Sequence, residues 1–321
     1  MDAKDSKVLL FKLTANPILA EEVAQKLHLQ LSLSEVDHFA DGEVLARPLC
    51  SVRDQTVYVI QSTANPVSER LMELLVFIDG LKNANAKEIN LVIPYYGFCR
   101  QDRITREGEP ITAKLVAKIL EAAGVNLVIT MDLHSPQIQG FFSCPVDALS
   151  PTDLFAQYYQ DKLAKLGIAT QDVCVVSPDH GSLHRARNLA SKLPNSTLAV
   201  IDKRRPTPNK AEVVNVVGEV KDKVCIIIDD IIDTAGTVLA CADCLFARGA
   251  KKIFVGGTHG IFSQGAADRL LKSKIEDIVI TDSIEQNIKG INAISLAPMI
   301  AGVIEATEEG RPIPDSWMDF H

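Results

Sequence analysis

Two adjacent acids stand directly after an apolar run in Val224-Cys225-Ile226-Ile227-Ile228-Asp229-Asp230. Small and hydroxylated residues follow in Asp233-Thr234-Ala235-Gly236-Thr237, and Val238 to Arg248 reads as a helix. This combination suits a phosphorylated polyol. Free backbone N–H groups at a helix start attract a phosphate. Thr234 and Thr237 add hydroxyl donors, and Gly236 lets the backbone approach the anion closely. Carboxylates repel a phosphate, so Asp229 and Asp230 need another partner, either sugar hydroxyls or a divalent cation. The competing reading is a plain helix cap at Asp233 or Thr234 beside two solvated acids.

Other stretches carry chemistry of the same kind. Arg100-Gln101-Asp102-Arg103 comes just after an expected strand over Ile89 to Ile93 that breaks at Pro94-Tyr95-Tyr96-Gly97. The carboxyl ends of such strands are where open α/β sheets bind ligands, and arginines there can meet phosphates. Met131-Asp132-Leu133-His134 ends another expected strand, and His134 could ligate a metal or touch a phosphate. Ser177-Pro178-Asp179-His180-Gly181-Ser182 is again a small-residue loop between strand and helix. Diphosphate with Mg²⁺ suits it, the amides facing the anion and Asp179 the cation. Asp202-Lys203-Arg204-Arg205-Pro206-Thr207-Pro208 reads as a mobile cationic loop able to close over reacting phosphoryl groups. Phe39-Ala40-Asp41-Gly42-Glu43 has turn chemistry and, by its residues alone, is a hairpin tip.

The elements that must hold these groups alternate between strand and helix. Strands are expected over 7–13, 36–39, 56–60, 89–93, 125–130, 172–176, 198–201 and 224–228, with helices over 18–27, 67–82, 111–122, 151–166 and 238–248. The helix over 67–82 places Leu71, Leu74, Leu75, Ile78 and Leu81 on one apolar face. The halves look like copies: Val57 to Ile60, a helix and Ala86-Lys87-Glu88-Ile89 match Val224 to Ile228, a helix and Ala250-Lys251-Lys252-Ile253. At the place of Asp229-Asp230 the first copy has Gln61-Ser62, so the sugar-phosphate loop belongs to one half only.

The whole chain agrees with a two-domain globular protein: 321 residues, 47% hydrophobic and 23% charged. A net charge of −8 argues against a general nucleic-acid surface, and 5% aromatics argues against base-stacking platforms. No apolar run is long enough to span a bilayer, and Met1 to Asp5 has no signal pattern. Seven cysteines, an odd number scattered along the chain, point to free thiols and a cytoplasmic setting. Cys241 and Cys244 form a C-x-x-C, but mid-helix spacing makes them core packing rather than a redox pair.

Together these motifs resemble those of the ribose-phosphate diphosphokinase (PRPP synthetase) family. The likeness runs from about Lys7 to Ser283 and takes in the Phe39–Glu43, Gln61-Ser62, Leu71–Leu75, Arg100–Arg103, Ile129–His134, Gln137–Phe142, Ser177–Gly181, Lys203–Pro206 and 224–237 stretches. Type I phosphoribosyltransferases share only the last. The resemblance implies an α/β fold of two similar type I phosphoribosyltransferase-like domains, each a mainly parallel sheet flanked by helices. Residues 1–150 would form the ATP side with the oligomer contacts. Residues 151–321 would form the ribose 5-phosphate side, with the C-terminal end packing back on the first domain. It implies transfer of the β,γ-diphosphoryl group of ATP to the C1 hydroxyl of ribose 5-phosphate, giving PRPP and AMP. By the same resemblance Asp229, Asp230, Asp233, Thr234, Ala235, Gly236 and Thr237 hold ribose 5-phosphate. Arg100, Gln101, Asp102 and His134 hold ATP. Asp179, His180, Gly181 and Ser182 form the diphosphate loop. His134 and Asp179 hold Mg²⁺, and Lys203 and Arg205 close on the transition state. Phe39, Asp41 and Glu43 would meet the adenine of ATP on a neighbouring subunit, which implies a homohexamer built of dimers. No nucleic-acid or membrane partner is implied.

The departures from the family pattern matter too. The diphosphate loop of the family usually ends Gly-Gly, whereas here it ends Gly181-Ser182. If that position required a positive φ, Ser182 would cost on the order of 1 kcal/mol. Ile104, Glu107 and Gly108 replace basic residues and a serine near the regulatory site, and the C-terminal end lacks paired serines, although Ser51 and Arg53 are present. The expectation is a weakened or absent response to phosphate and ADP. Two rivals are a non-catalytic regulatory homologue, which should have lost Lys203, Arg205, Asp229, Asp230 or His134, and a PRPP-consuming phosphoribosyltransferase, which would have no use for the Arg100 and His134 clusters.

Overall fold

The computed structural model describes residues 8–204 and 213–319. They divide into two units. The first comprises the described residues up to 150 together with 283–285 and those from 295 onward. The second comprises 151–282 and 286–294.

The first unit runs β1 (Val8–Lys12), α1 (Pro17–Lys26), β2 (Ser34–His38), β3 (Val44–Pro48), β4 (Thr56–Ile60), α2 (Val67–Asn83), β5 (Glu88–Ile93), α3 (Thr112–Ala123), β6 (Leu127–Met131) and β7 (Val146–Leu149). Its sheet has the order β1-β4-β5-β6-β7 with every pair parallel. All five residues of β4 are buried, so both faces of its centre are covered, and its apolar run follows from that. A 3₁₀ turn over Pro136–Phe141 fills the stretch read as a turn or short helix. β2 and β3 form a separate antiparallel hairpin, with β3 packed on α2. α2 buries Leu74, Phe77, Ile78, Leu81 and also Glu73, while Leu71 and Leu75 are half-buried.

The second unit runs α4 (Thr152–Leu166), β8 (Val173–Ser177), α5 (Leu183–Lys192), β9 (Thr197–Arg204), β10 (Val213–Val217), β11 (Val224–Ile232), α6 (Gly236–Ala247), β12 (Lys252–Gly260), α7 (Ala266–Leu271), β13 (Asp277–Thr281) and β14 (Asn292–Ile294). The sheet order is β10-β9-β8-β11-β12-β13-β14, parallel except for β10 against β9. The series β8-β11-β12-β13-β14 therefore repeats the series β1-β4-β5-β6-β7. The β9-β10 pair follows α5 as the β2-β3 hairpin follows α1.

Two expectations need correction. β11 does not stop at Ile228 but continues through both acids to Ile232, because its partner β12 pairs with it as far as Gly260. β9 continues through Asp202 to Arg204, where a loop was expected, because β10 pairs along it from Val213 to Val217.

The last helix, α8 (Ala297–Glu308), returns to the first unit and packs on α1. Beyond it the chain closes the open edge of β7. Ser150 N–H donates to the Trp317 carbonyl at 2.8 Å, and Asp319 N–H donates to the Ala148 carbonyl at 2.9 Å. An unpaired edge is a template for aggregation, and this segment removes it. All seven cysteines are free thiols. Cys241 is buried in the second unit's core and Cys244 packs against it.

Candidate active site

The acidic pair sits on the last turn of pleat in β11. Asp229 and Asp230 are 8% and 5% exposed, so neither is a solvated surface acid. Burial this deep needs partners. The Ser182 hydroxyl donates to Asp229 Oδ1 at 2.6 Å, and Asp230 N–H donates to the same oxygen at 3.1 Å. Arg185 Nη2 lies 3.8 Å from Asp230 Oδ2. Burial, with the charge of Asp230 beside it, pushes the Asp229 carboxyl well above the usual range. The Ser182 hydrogen bond opposes that push.

Asp233 and Thr234 follow β11, and α6 opens at Gly236 with Ala235 as its cap residue. Ala235 is buried with φ 58°, left-handed backbone that a residue with a Cβ rarely adopts. Strain held at such a loop is a mark of functional geometry. Thr234, Gly236 and Thr237 are exposed, and a Cβ on Gly236 would meet nothing closer than Thr234 Oγ1 at 3.8 Å. The first turn of α6 is therefore open to an anion. Arg269 braces the loop through the Thr234 carbonyl at 2.9 Å.

The loop after β8 comes to the same place. Ser182 N–H donates to Asp179 Oδ1 at 3.0 Å, while the Ser177 hydroxyl donates to the Asp179 carbonyl at 2.6 Å. Asp179 is half-buried, and Gly181 is exposed. His180 Nε2 stands 3.3 Å from Asp202 Oδ1, which ties this loop to β9. Ser182 has φ −89°, ordinary backbone for a serine, so the strain cost considered for this position does not arise. Lys203 lies in β9, and Arg205 lies outside the described residues.

In the first unit the corresponding strand end is filled by the protein itself. Gln61 Nε2 donates to Glu73 Oε2 at 2.8 Å and accepts from Ala15 N–H at 2.9 Å. Ser62 N–H donates to Asn16 Oδ1 at 2.8 Å, and the Ser62 hydroxyl donates to the Ser283 carbonyl at 2.5 Å. The ligand-type residues of this unit stand elsewhere. Arg100 and Gln101 are exposed and Asp102 half-buried, in the turn after β5. Gln101 is held against α3, its carbonyl accepting from Ala113 N–H at 3.2 Å and its Oε1 from the Thr112 hydroxyl at 2.6 Å. Gly97 lets this turn form: its N–H donates to Thr63 Oγ1 at 2.6 Å, and an added Cβ would come within 2.3 Å of the Thr63 carbonyl. His134 is exposed past the end of β6, next to Asp132, which is buried with φ 39°. Phe39, Asp41 and Glu43 occupy the exposed β2-β3 tip, where Gly42 takes φ 92° and Glu43 N–H donates to Asp41 Oδ1 at 3.1 Å.

The structure thus brings together Asp179, Ser182, Asp229 and Asp230 in the second unit. Arg185, the partner of Asp230, was not among the residues expected at the site. Its signal was position, three residues after Ser182 and so on the same face of the first turn of α5.

Fold and site define a class: an α/β protein of two topologically matched units, one of which carries a buried acidic pair near the end of a central strand, ahead of an open helix start. Residues 8–124 match the N-terminal domain of ribose phosphate pyrophosphokinase, and residues 185–309 match the phosphoribosyl synthetase-associated domain. A ribose-phosphate pyrophosphokinase of Caldanaerobacter subterraneus is 51% identical over 308 residues, covering 95% of this chain and 96% of the relative. One of Listeria ivanovii is 48% identical over 313 residues, 96% of each. The crystal structure of phosphoribosylpyrophosphate synthetase from Mycobacterium smegmatis matches with a TM-score of 0.88 at 36% identity, over 94% of this chain and 99% of that one. The chain belongs to the ribose-phosphate pyrophosphokinase family.

Proposed function

We infer that the chain is a ribose-phosphate diphosphokinase, transferring the β,γ-diphosphoryl group of ATP to the C1 hydroxyl of ribose 5-phosphate to give PRPP and AMP. The observation that carries this is the 51% identity, over nearly the full length of both chains, to a protein named ribose-phosphate pyrophosphokinase. The C1 hydroxyl attacks the β-phosphorus, the bond to the AMP oxygen breaks, and the diphosphoryl group moves whole. No covalent enzyme intermediate is needed, so the residues act by positioning and charge stabilisation.

In this reading residues 151–321 form the ribose 5-phosphate side. Thr234, Gly236 and Thr237 receive the 5-phosphate at the open start of α6, and Asp229 and Asp230 accept from the sugar hydroxyls. Asp179, His180, Gly181 and Ser182 line the diphosphate. Residues 1–150 form the ATP side, with Arg100, Gln101, Asp102 and His134 as ligands. Lys203 and Arg205 stabilise charge on the moving group. Asp179 offers a half-buried carboxylate, the oxygen donor Mg²⁺ prefers, and His134 enters this reading as a second ligand through the family resemblance alone. Bound there, Mg²⁺ would neutralise phosphoryl charge. Phe39, 56% exposed at a hairpin tip, is accessible for the contact this reading gives it with the nucleotide of a neighbouring copy in a homohexamer built of dimers. Among the described residues no helix is long and apolar enough to cross a membrane. The seven free thiols support the cytoplasmic setting of this reading.

The decisive experiment mixes protein, Mg²⁺, ATP and ribose 5-phosphate without any nucleobase. AMP and PRPP should appear in equal amounts. Protein that forms no AMP under these conditions would overturn the reading.

A further inference from the structure

Ser182 makes bonds that neither a helix cap nor a phosphate loop requires. It precedes α5, yet its hydroxyl makes no capping bond to its own helix. Instead the hydroxyl reaches across to β11 and donates to Asp229 Oδ1 at 2.6 Å. Its backbone N–H donates to Asp179 Oδ1 at 3.0 Å. One residue, 3% exposed, thus bridges two carboxylates from segments 50 residues apart in sequence (179 to 229). Three residues on, Arg185 faces Asp230. The start of α5 therefore braces both members of the acidic pair.

The bridge has a directional consequence. Asp229 Oδ1 already receives the Ser182 hydroxyl and the Asp230 N–H. A carboxylate has two oxygens, and fixing one fixes the plane of the group, so the other is presented in one direction. A buried carboxylate without such a tether would turn to whatever donor lies nearest. Preorganisation of this kind strengthens binding by removing the cost of ordering the group when the ligand arrives.

We infer that Ser182 is a positioning residue of the sugar site: its amide and hydroxyl straddle Asp179 and Asp229 and set the Asp229 carboxylate to receive hydroxyls of ribose 5-phosphate. This rests on the functional reading above. The side chain acts through Asp229, so its removal weakens the acceptor far more than the binding of ATP.

The test is a double-mutant cycle of Ser182→Ala and Asp229→Asn in the full-length enzyme, followed by steady-state kinetics on each substrate. Because the hydroxyl caps nothing, Ser182→Ala should fold, with a melting temperature lowered by roughly 2–6 °C through the lost bond to buried Asp229. A hydrogen bond to a buried charge is strong enough that its loss should raise the KM for ribose 5-phosphate about tenfold. The KM for ATP should rise clearly less, since the hydroxyl that is lost is committed to Asp229. In the Asp229→Asn background, Ser182→Ala should add little, because the carboxylate it positions is gone. Ser182→Cys, similar in size but a weaker donor, should fall between wild type and alanine. An unchanged KM for ribose 5-phosphate in Ser182→Ala would overturn the inference. So would an equal rise for both substrates, or the same added factor in the Asp229→Asn background. A wild-type enzyme that forms no AMP would overturn the functional reading itself, an outcome distinct from an active wild type with an indifferent Ser182.

Discussion

Asp229 is held between two opposed demands. In the proposed sugar site an ionised carboxylate is the stronger acceptor, but burial and the neighbouring Asp230 favour the protonated form and push the carboxyl well above its usual range. The sign for stability follows. A carboxyl whose pKa is raised by folding stabilises the folded state while it is protonated. That contribution is complete below the unfolded carboxyl range and is lost as pH rises toward the folded value. At neutral pH the buried Asp229 carboxyl is therefore a liability for the ligand-free protein. Asp229→Asn should raise the melting temperature at pH 7 by roughly 2–4 °C, and the gain should vanish near pH 3. The same variant should bind ribose 5-phosphate more weakly. A melting temperature that falls at pH 7 in thermal scans would refute this account. The residue types at this site were legible in the sequence, but their setting was not. Charge ordinarily marks the end of a buried strand, so β11 seemed to stop before Asp229. It continues because Ser182 and Arg185, far away in sequence, supply the partners that let two acids stay buried.

Elements whose local pattern matches their burial were readable to within a residue or two. β4 and α2 are examples, since continuous apolar runs and a helical stripe report directly on what is covered. Elements that exist through pairing alone were not. The end of β9 is one: Asp202-Lys203-Arg204 has no strand pattern of its own, and it is strand because β10 pairs along it from Val213 to Val217. The turn after β5 is a further case in which packing rather than propensity decides. Gly97 lies so close to the Thr63 carbonyl that no side chain fits. Gly97→Ala must displace the turn that carries Arg100 to Asp102. We expect a loss of about 1–3 kcal/mol of stability and a raised KM for ATP with little change for ribose 5-phosphate, read by denaturant unfolding and kinetics. The loop over 104–109 bears on regulation. Glu109 Oε2 accepts from Thr105 N–H at 2.9 Å, the Thr105 hydroxyl at 2.6 Å and Arg106 N–H at 3.0 Å. The Thr105 bonds hold the Glu109 carboxyl below its usual range, so the loop already contains an anion. Together with Glu107 this should exclude an incoming phosphate. Inorganic phosphate should leave the rate unchanged beyond an ionic-strength control, and a severalfold activation would refute the proposal.

At the scale of the molecule, the same strand order occurs twice, and the two copies diverge in what their strand ends do. The copy that kept Asp229 and Asp230 leaves an open helix start after β11. The other copy closes its strand end with Gln61, Ser62, Asn16 and the carbonyl of Ser283. The sequence showed the duplication through one apolar run and an Ala-Lys pair, and the resemblance implied a return of the C-terminal end, but neither showed that residues 283–285 and all of α8 belong to the first copy. Those contacts span more than 220 residues, from Ser62 to Ser283, and leave no local trace. The consequence is that the first unit is not a contiguous segment. α8 buries Met299, Ile300, Val303 and Ile304 among smaller residues, and it packs on α1. Four large side chains at roughly 1.5–3 kcal/mol each amount to a share comparable with the whole stability of a domain, about 5–15 kcal/mol. Trp317 lies over Gly302, where an added Cβ would come within 2.7 Å of the ring, and the segment after it covers the β7 edge. A fragment of residues 1–150 should therefore be insoluble or molten, with an exposed apolar face and an unpaired edge. Supplying residues 295–321 as a separate peptide should restore a cooperative thermal transition and protect β7 amides from hydrogen exchange. A soluble 1–150 fragment that unfolds cooperatively without the peptide would show that α8 and the edge segment contribute far less than their burial implies.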